Sequence, residues 1–323
     1  MSVFYIIAGF LLLIIGGDYL VKASVGLSFK FKLSKLVIGM TVVSFATSAP
    51  ELLVSLQAAM DGSADLALGN VIGSNIANIA LVLGLTAMIS IIKVDKSFYK
   101  INWPGMMLFS VLLYIFMKTD LNISRIEGII LFIGLIIFIV YMIWEARREH
   151  IDQEVVADLD DELDGDLEKA GYSKIFGWLA IGAVALYFGS EFLVNGAKDI
   201  ALNLGISERA IGLSVVAIGT SVPELAASII AALKGEKAIS LGNLIGSNIF
   251  NIGSVIGLTA MISPLKVDPK MLGNDIYWMI GVAFVLLPLS FIPKFHQISR
   301  YKGLLLFLSY MVFMYLLFLK MNG

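Results

Sequence analysis

Long apolar runs, separated by short polar segments, dominate the hydropathy pattern of this sequence. A helix of about 20 apolar residues spans the hydrocarbon core of a bilayer. By that measure the pattern predicts ten membrane-spanning helices, at roughly 3–27, 36–60, 65–90, 102–118, 124–146, 174–203, 208–233, 238–263, 273–292 and 299–320. The predicted fold class is therefore an all-α polytopic membrane protein whose only long polar segment follows the fifth helix.

Composition supports a chain that lies in a lipid bilayer. Of the 323 residues, 59% are hydrophobic and 15% are charged. Soluble domains are about 45–50% apolar, and surface-to-volume scaling prevents a domain from burying much more. The sequence has no cysteine, two histidines, no phosphate-binding loop and no set of a nucleophile with a base. We therefore expect no enzyme activity, no prosthetic group, no nucleic-acid partner and no obligatory protein partner.

The distribution of basic residues predicts the orientation of the helices. Lys and Arg accumulate in cytoplasmic loops, and here the odd-numbered connections and their flanks hold 15 of them, whereas the other side holds 7. The bias predicts a multi-pass protein of the plasma membrane with both termini outside and the central loop in the cytoplasm. Residues 145–169 of this region carry 11 acids and three bases. Residues 160–165 half-resemble a calcium-binding loop, but Gly171 occupies the position of the last ligand. We therefore interpret residues 147–173 as a solvated linker.

Self-comparison reveals an internal repeat. Residues 39–89 match residues 212–262 without a gap, at a constant offset of 173. The repeat divides the chain into a first five-helix half, 1–146, and a second, 174–323. Because five is an odd number of crossings, we expect the second half to enter the membrane inverted. Inverted repeats with broken helices and a binding site near the membrane midplane are typical of secondary transporters.

Each repeat places one glutamate deep in an apolar helix. Glu51 ends the segment Thr-Ser-Ala-Pro-Glu, and Glu224 ends the matching segment Thr-Ser-Val-Pro-Glu. An unpaired charge at such a depth costs at least about 2.5–3.5 kcal/mol, so these acids point to function. The preceding proline lacks an N–H and disrupts the helix, which leaves backbone carbonyls available. Carboxylates, hydroxyls and carbonyls are hard ligands suited to Ca²⁺, Na⁺ or Mg²⁺.

The following helix of each half adds a second polar motif. Ser74 and Asn78 lie one turn apart, and Ser247 and Asn251 repeat them. Single residues of these types also serve as hydrogen-bonding contacts between membrane helices. Their recurrence beside a duplicated glutamate favours ion binding. A further acidic pair in helices one and six, Asp18 and Glu191, lies near Lys22 and Lys198, and pairing with those lysines is an alternative to a role in transport.

The two blocks G-x-[ST]-V-V, T-S-x-P-E and G-N-x-I-G-S-N-I resemble the α-repeats of the sodium/calcium exchanger family, and the resemblance covers the whole chain. It implies that Glu51 and Glu224 bind Ca²⁺ together with backbone oxygens at Thr47 and Thr220. It also implies that helices one and six slide against the rest. The positions that it implies for Na⁺ are Ser44, Thr47, Ser48, Ser74, Ala217, Thr220, Ser221 and Ser247, with Asn78 and Asn251 at a remaining central site.

Two positions depart from the family pattern. Ala46 replaces the usual glycine of the first repeat, and Asn251 replaces an aspartate found in several exchangers, including potassium-dependent ones. We therefore expect exchange that does not require K⁺. The predicted function is secondary antiport that extrudes Ca²⁺ against Na⁺, with these ions and the lipid bilayer as partners. A Ca²⁺/H⁺ antiporter is the nearest alternative, and a cation channel is an alternative from another class.

Overall fold

The chain forms a set of long apolar helices joined by short connections. The structure, a computed structural model, describes residues 2–152, 167–203, 219–292 and 296–322. The helices are α1 Ser2–Phe31, α2 Lys35–Thr47, α3 Ala49–Met60, α4 Ala64–Ile89, α5 Phe98–Asp120, α6 Arg125–Asp152, α7 Tyr172–Asn203, α8 Val222–Leu233, α9 Lys237–Ile262, α10 Met271–Phe291 and α11 Arg300–Asn322.

The prediction of a helical membrane fold is confirmed, whereas the number of ten spanning helices is not. Within the described residues, eight helices are long and apolar enough to cross a bilayer, and α2 with α3 makes a ninth if the bent pair is one span. The predicted helix 208–233 is represented by α8, because residues 204–218 lie outside the described residues. The fifth helix continues past its predicted end at 146, and part of the predicted linker 147–173 lies outside the description.

The second predicted helix, 36–60, is two helices. Ser48 has φ −85° and ψ 0°, which interrupts the helical backbone, and α2 and α3 are bent by 44° at this break. Pro50 lies in the first turn of α3, where its missing N–H costs no hydrogen bond. The hydropathy pattern could not reveal this break, because both segments are equally apolar. The two helices place their ends, with orphan backbone groups, inside an apolar stretch of chain.

Two compact units make up the chain, and each takes residues from both predicted repeats. The first unit contains residues 1–47 and 136–243, and the second contains 48–135 and 244–323. In the first unit α1 packs along α7 and against α8, and its core includes Leu20, Leu186 and Val222. In the second unit α3 packs against α4, and α4 packs against α11. The boundaries of the two repeats stay a prediction.

The helices that carry the second polar motif are the most buried ones. In the apolar spans of α4 and α9, 78% and 83% of the residues are buried, compared with 22–28% for α1, α6, α7, α10 and α11. Both helices contain π-helical stretches, Ala77–Leu83 and Asn251–Ile256, which begin at or next to the asparagines of that motif. Such wide turns in membrane helices are frequently found at functional sites.

Four two-residue strands and close helix crossings complete the second unit. Strand β1, Ile92–Lys93, pairs antiparallel with β4, Gln297–Ile298, and β2, Asn122–Ile123, pairs with β3, Leu265–Lys266. The sequence pattern did not predict these strands. The backbones of α4 and α11 cross closely, since a Cβ added to Gly303 would lie 2.6 Å from the carbonyl oxygen of Gly84. Only glycine permits that crossing.

Candidate ion-binding site

Both motif glutamates lie in the first turn of a short helix that has a serine at its N-cap position. Glu51 follows Ser48 in α3, and Glu224 follows Ser221 in α8. The backbone of Ser221, with φ −88° and ψ 2°, is nearly identical to that of Ser48. Pro223 occupies the first turn of α8, as Pro50 does in α3. The repeated sequence therefore produces the same helix start twice, each with one acid at the same position.

Both carboxylates are fully enclosed by protein. The side chains of Glu51 and Glu224 are each 0% exposed. The N-terminal end of a helix carries partial positive charge, about half an elementary charge, which stabilises negative charge in its first turn. The break also ends the preceding helix, α2, at Thr47, so the negative end of one helix lies next to the positive end of the next along the chain. This is a common arrangement for binding ions at broken membrane helices.

In the first unit, Asn243 of α9 joins three hydroxyl groups. Its side-chain Oδ1 accepts a hydrogen bond from Thr47 Oγ1 at 3.1 Å, and its Nδ2 donates to Ser228 Oγ at 3.0 Å. Its backbone carbonyl oxygen lies 2.9 Å from the Ser44 hydroxyl, which donates to it or to the carbonyl of Gly39. The predicted positions Ser44 and Thr47 therefore belong to one buried network with α9.

The second unit repeats part of this network. Asn70 Nδ2 donates to Ser55 Oγ at 3.0 Å and lies 3.4 Å from the backbone carbonyl oxygen of Glu51. Because Asn70 and Ser55 precede Asn243 and Ser228 by 173 residues each, the same amide–hydroxyl bond occurs in both repeats. It connects the helix with the glutamate to the helix with the second motif.

Sequence reasoning missed Ser55 and Ser228. Both lie four residues after a motif glutamate, on the same helix face, and both are fully buried, at 1% and 0% exposed. Two signals could have identified them, namely the 173-residue offset and the i, i+4 spacing from the glutamate. Their hydroxyl oxygens accept hydrogen bonds from the asparagine amides. They therefore support the site and are not among its predicted ligands.

Four asparagines gather in the second unit. Asn75 Nδ2 donates to the backbone carbonyl oxygen of Asn248 at 3.2 Å, and Asn251 Nδ2 donates to Asn75 Oδ1 at 3.1 Å. The oxygen atoms Asn248 Oδ1 and Asn251 Oδ1, and both polar atoms of Asn78, are buried and have no hydrogen-bond partner within the described part of the chain. The stretch Asn251–Ile256 also packs against α3, the helix that bears Glu51.

The structure describes all but one of the remaining predicted positions. Ser48, Ser74, Ser221 and Ser247 are buried, and Thr220 is half-buried at the start of α8. The hydroxyl of Ser221 has no hydrogen-bond partner among the described residues. Ala217 lies outside the described residues. Each unit therefore encloses one carboxylate with several hydroxyl or amide oxygens.

The acidic pair of the first and sixth predicted helices does not extend this site. Asp18 forms an ion pair with Lys22 at 2.8 Å, as the sequence suggested, and a second one with Lys234, which sequence reasoning missed. Glu191 lies on an exposed face of α7. Within the described ranges, no group of three or more His, Cys, Asp or Glu side chains could hold a metal ion. Among the described residues, Glu51 and Glu224 are the only fully buried acids.

Apolar spanning helices, buried carboxylates and a break in the helical backbone at Ser48 define a membrane transport protein rather than an enzyme. The family model described as sodium/calcium exchanger protein matches residues 1–144 and 174–319, and the chain belongs to that family. The predicted resemblance, the transport function and the absence of enzyme activity are therefore confirmed.

Relatives match almost the whole chain. The sodium/calcium exchanger MaX1 of Methanosarcina acetivorans is 30% identical over 347 aligned residues, with 97% of each chain covered. The inner membrane protein YrbG of Escherichia coli K12 is 40% identical over 294 residues, with 87% of each chain covered. A solved structure of the sodium-calcium exchanger NCX_Mj soaked with zero Na⁺ and Ca²⁺ has a TM-score of 0.80 and 32% identity, covering 96% of this chain and 97% of that one.

Proposed function

We propose that this protein is a secondary antiporter that extrudes Ca²⁺ in exchange for Na⁺ by alternating access. The observation that carries the proposal is the pair of fully buried glutamates, Glu51 and Glu224, each in the first turn of a helix with serine at its N-cap position. Such costly charges persist in a membrane protein when a cation neutralises them during function. The relatives named as sodium/calcium exchangers support the choice of ions.

Competition for two carboxylates is the proposed basis of exchange. Glu51 and Glu224 together carry two negative charges, which balance one Ca²⁺ or two Na⁺. A site that held both loads at once would contain excess positive charge in a medium of low dielectric constant, where such repulsion is expensive. Binding of one cation species therefore requires release of the other, and the loaded forms change orientation across the membrane.

Neutral oxygens complete the proposed ligand set. The backbone oxygens of Thr47 and Thr220 join the glutamates around Ca²⁺. The oxygens proposed for Na⁺ come from Ser44, Thr47, Ser48, Ser74, Ala217, Thr220, Ser221 and Ser247, and Asn78 and Asn251 add amide oxygens. Oxygen ligands of this type suit Ca²⁺ and Na⁺ because both are hard cations. The burial of the described members supports this assignment.

The proposed topology follows from the repeat and from the positive charges. Two inverted five-helix halves, 1–146 and 174–323, would place both termini outside the plasma membrane. The acidic segment 147–173 would be cytoplasmic. The 15-to-7 distribution of Lys and Arg supports this orientation.

Flux measurements in proteoliposomes test the proposed function directly. Purified protein is reconstituted, and ⁴⁵Ca²⁺ uptake is measured with an outward gradient of Na⁺, H⁺ or K⁺, each applied separately. We expect uptake that is driven by the Na⁺ gradient and persists when K⁺ is absent. Uptake driven by the proton gradient alone would identify a Ca²⁺/H⁺ antiporter, since carboxylates also carry protons. Uptake without any counter-ion would indicate a channel.

A further inference from the structure

Two buried methionines contact asparagine amides in the second unit at matching positions of the repeat. Met279 Sδ lies 3.6 Å from Asn75 Nδ2, and Met106 Sδ lies 3.6 Å from Asn248 Nδ2. Both methionines are almost completely enclosed, at 2% and 1% exposed. Met279 and Met106 are 173 residues apart, as are Asn248 and Asn75. The two contacts are therefore copies of each other, made between opposite members of the repeat.

The thioether fixes which way the Asn75 amide faces. A thioether sulfur accepts hydrogen bonds but cannot donate one, so the NH₂ end of the amide must face Met279. The same nitrogen donates to the backbone carbonyl oxygen of Asn248, another group that only accepts. Both N–H groups of Asn75 are thereby used. Its carbonyl oxygen must face away from them, and it accepts a hydrogen bond from Asn251 Nδ2.

This bond in turn fixes the orientation of Asn251. Because its NH₂ end donates to Asn75, its Oδ1 faces another direction, where it is buried without a hydrogen-bond partner among the described atoms. A buried carbonyl oxygen without a hydrogen-bond partner is unfavourable, and a bound cation would offset that cost. Asn78, the matching residue of the first repeat, has no such restraint, because neither of its polar atoms has a partner in the described part of the chain.

We infer that Met279 and Asn75 are positioning residues that hold the carbonyl oxygen of Asn251 in the orientation of a cation ligand. The inference rests on the proposed function, in which Asn251 supplies a neutral oxygen to the transported ion. The copy of this contact does not have the same consequence. Met106 orients Asn248, whose side-chain oxygen Oδ1 has no partner among the described residues and makes no hydrogen bond to Asn78. The two methionines thus make equivalent contacts and have different roles.

Matched leucine substitutions test the inference. Met279→Leu and Met106→Leu each remove a sulfur acceptor at nearly constant volume, a change that cores tolerate well. Ca²⁺ binding to the full-length protein is measured by calorimetry without Na⁺, and ⁴⁵Ca²⁺ flux is measured with a Na⁺ gradient. We expect Met279→Leu to weaken Ca²⁺ binding about two- to fivefold, the effect of one modest hydrogen bond, and Met106→Leu to have a smaller effect. Asn75→Ala should reproduce the shift of Met279→Leu.

A double-mutant cycle separates positioning from a general structural effect. In the Asn251→Ala background, Met279→Leu should cause no further loss of Ca²⁺ affinity, because the residue that it orients is gone. The inference is overturned if Met279→Leu causes an equal loss of Ca²⁺ affinity in both backgrounds. It is also overturned if Met279→Leu and Met106→Leu have identical Ca²⁺ affinities while the wild-type protein transports Ca²⁺. Those two outcomes leave the proposed function intact. A wild-type protein that neither binds nor transports Ca²⁺ overturns both.

Discussion

Replacing either motif glutamate by glutamine should abolish Ca²⁺ transport while leaving the fold intact. Glu51→Gln and Glu224→Gln keep the size of the side chain, remove its negative charge and replace one acceptor oxygen by an NH₂ donor. Both positions are fully buried in the first turn of a helix, so water cannot take the place of the lost carboxylate oxygen as a cation ligand. The amide still fills its volume, and we therefore expect normal insertion and folding.

The size of the effect follows from the burial of the carboxylates. Truncating one member of a buried, hydrogen-bonded charge pair costs about 2–5 kcal/mol. At about 1.4 kcal/mol for each tenfold change, the Ca²⁺ affinity of either variant should fall about 30-fold to several thousand-fold. The same loss appears in thermal denaturation. A ligand at about 100 times its Kd stabilises the folded state by about 2.7 kcal/mol, and this Ca²⁺-dependent increment should disappear.

The assay compares three variants under identical conditions. Glu51→Gln, Glu224→Gln and the control Glu191→Gln are purified, and their melting temperatures are measured with and without Ca²⁺, followed by ⁴⁵Ca²⁺ flux. The control removes an acid from an exposed face of α7, outside both motif segments, and should retain flux and Ca²⁺ stabilisation. Wild-type flux in a folded Glu51→Gln or Glu224→Gln protein would refute the assignment of that glutamate as a ligand.

Three further predictions concern the topology, the role of Asn251 and the packing of α4 against α11. A tag inserted between residues 153 and 166 should be accessible from the cytoplasm and a C-terminal tag from outside, and labelling of both tags from one side would contradict the inverted topology. Wild-type flux should persist without K⁺. Asn251→Asp adds an ionisable group near α3 and should make flux more pH-dependent near neutrality. An unchanged pH profile would argue against Asn251 as a ligand. Gly303→Ala should lower stability by about 1–3 kcal/mol in a thermal melt, because its Cβ would lie 2.6 Å from a backbone oxygen of α4, while Gly281→Ala, which meets nothing within 4 Å, should not.

Hydropathy and the internal repeat were enough to predict the class of protein, the helices with the motifs and the two acids. Predicted helices 65–90 and 238–263 agree within a residue with α4, Ala64–Ile89, and α9, Lys237–Ile262. These features are readable because hydropathy is a property of consecutive residues, and because a lone charge in an apolar run is costly wherever the run folds. The 173-residue repeat then separates recurring polar residues from incidental ones.

Which polar groups contact each other depends on how the helices pack in three dimensions. The bond between Asn243 and Ser228, the second ion pair of Asp18 with Lys234, and the contact of Met279 with Asn75 all join residues on different helices. The break at Ser48 likewise lies within an apolar run that hydropathy treats as continuous. Local pattern sets the face on which a side chain lies, but its partner depends on how helices distant in sequence pack, and on the few ångströms over which hydrogen bonds act.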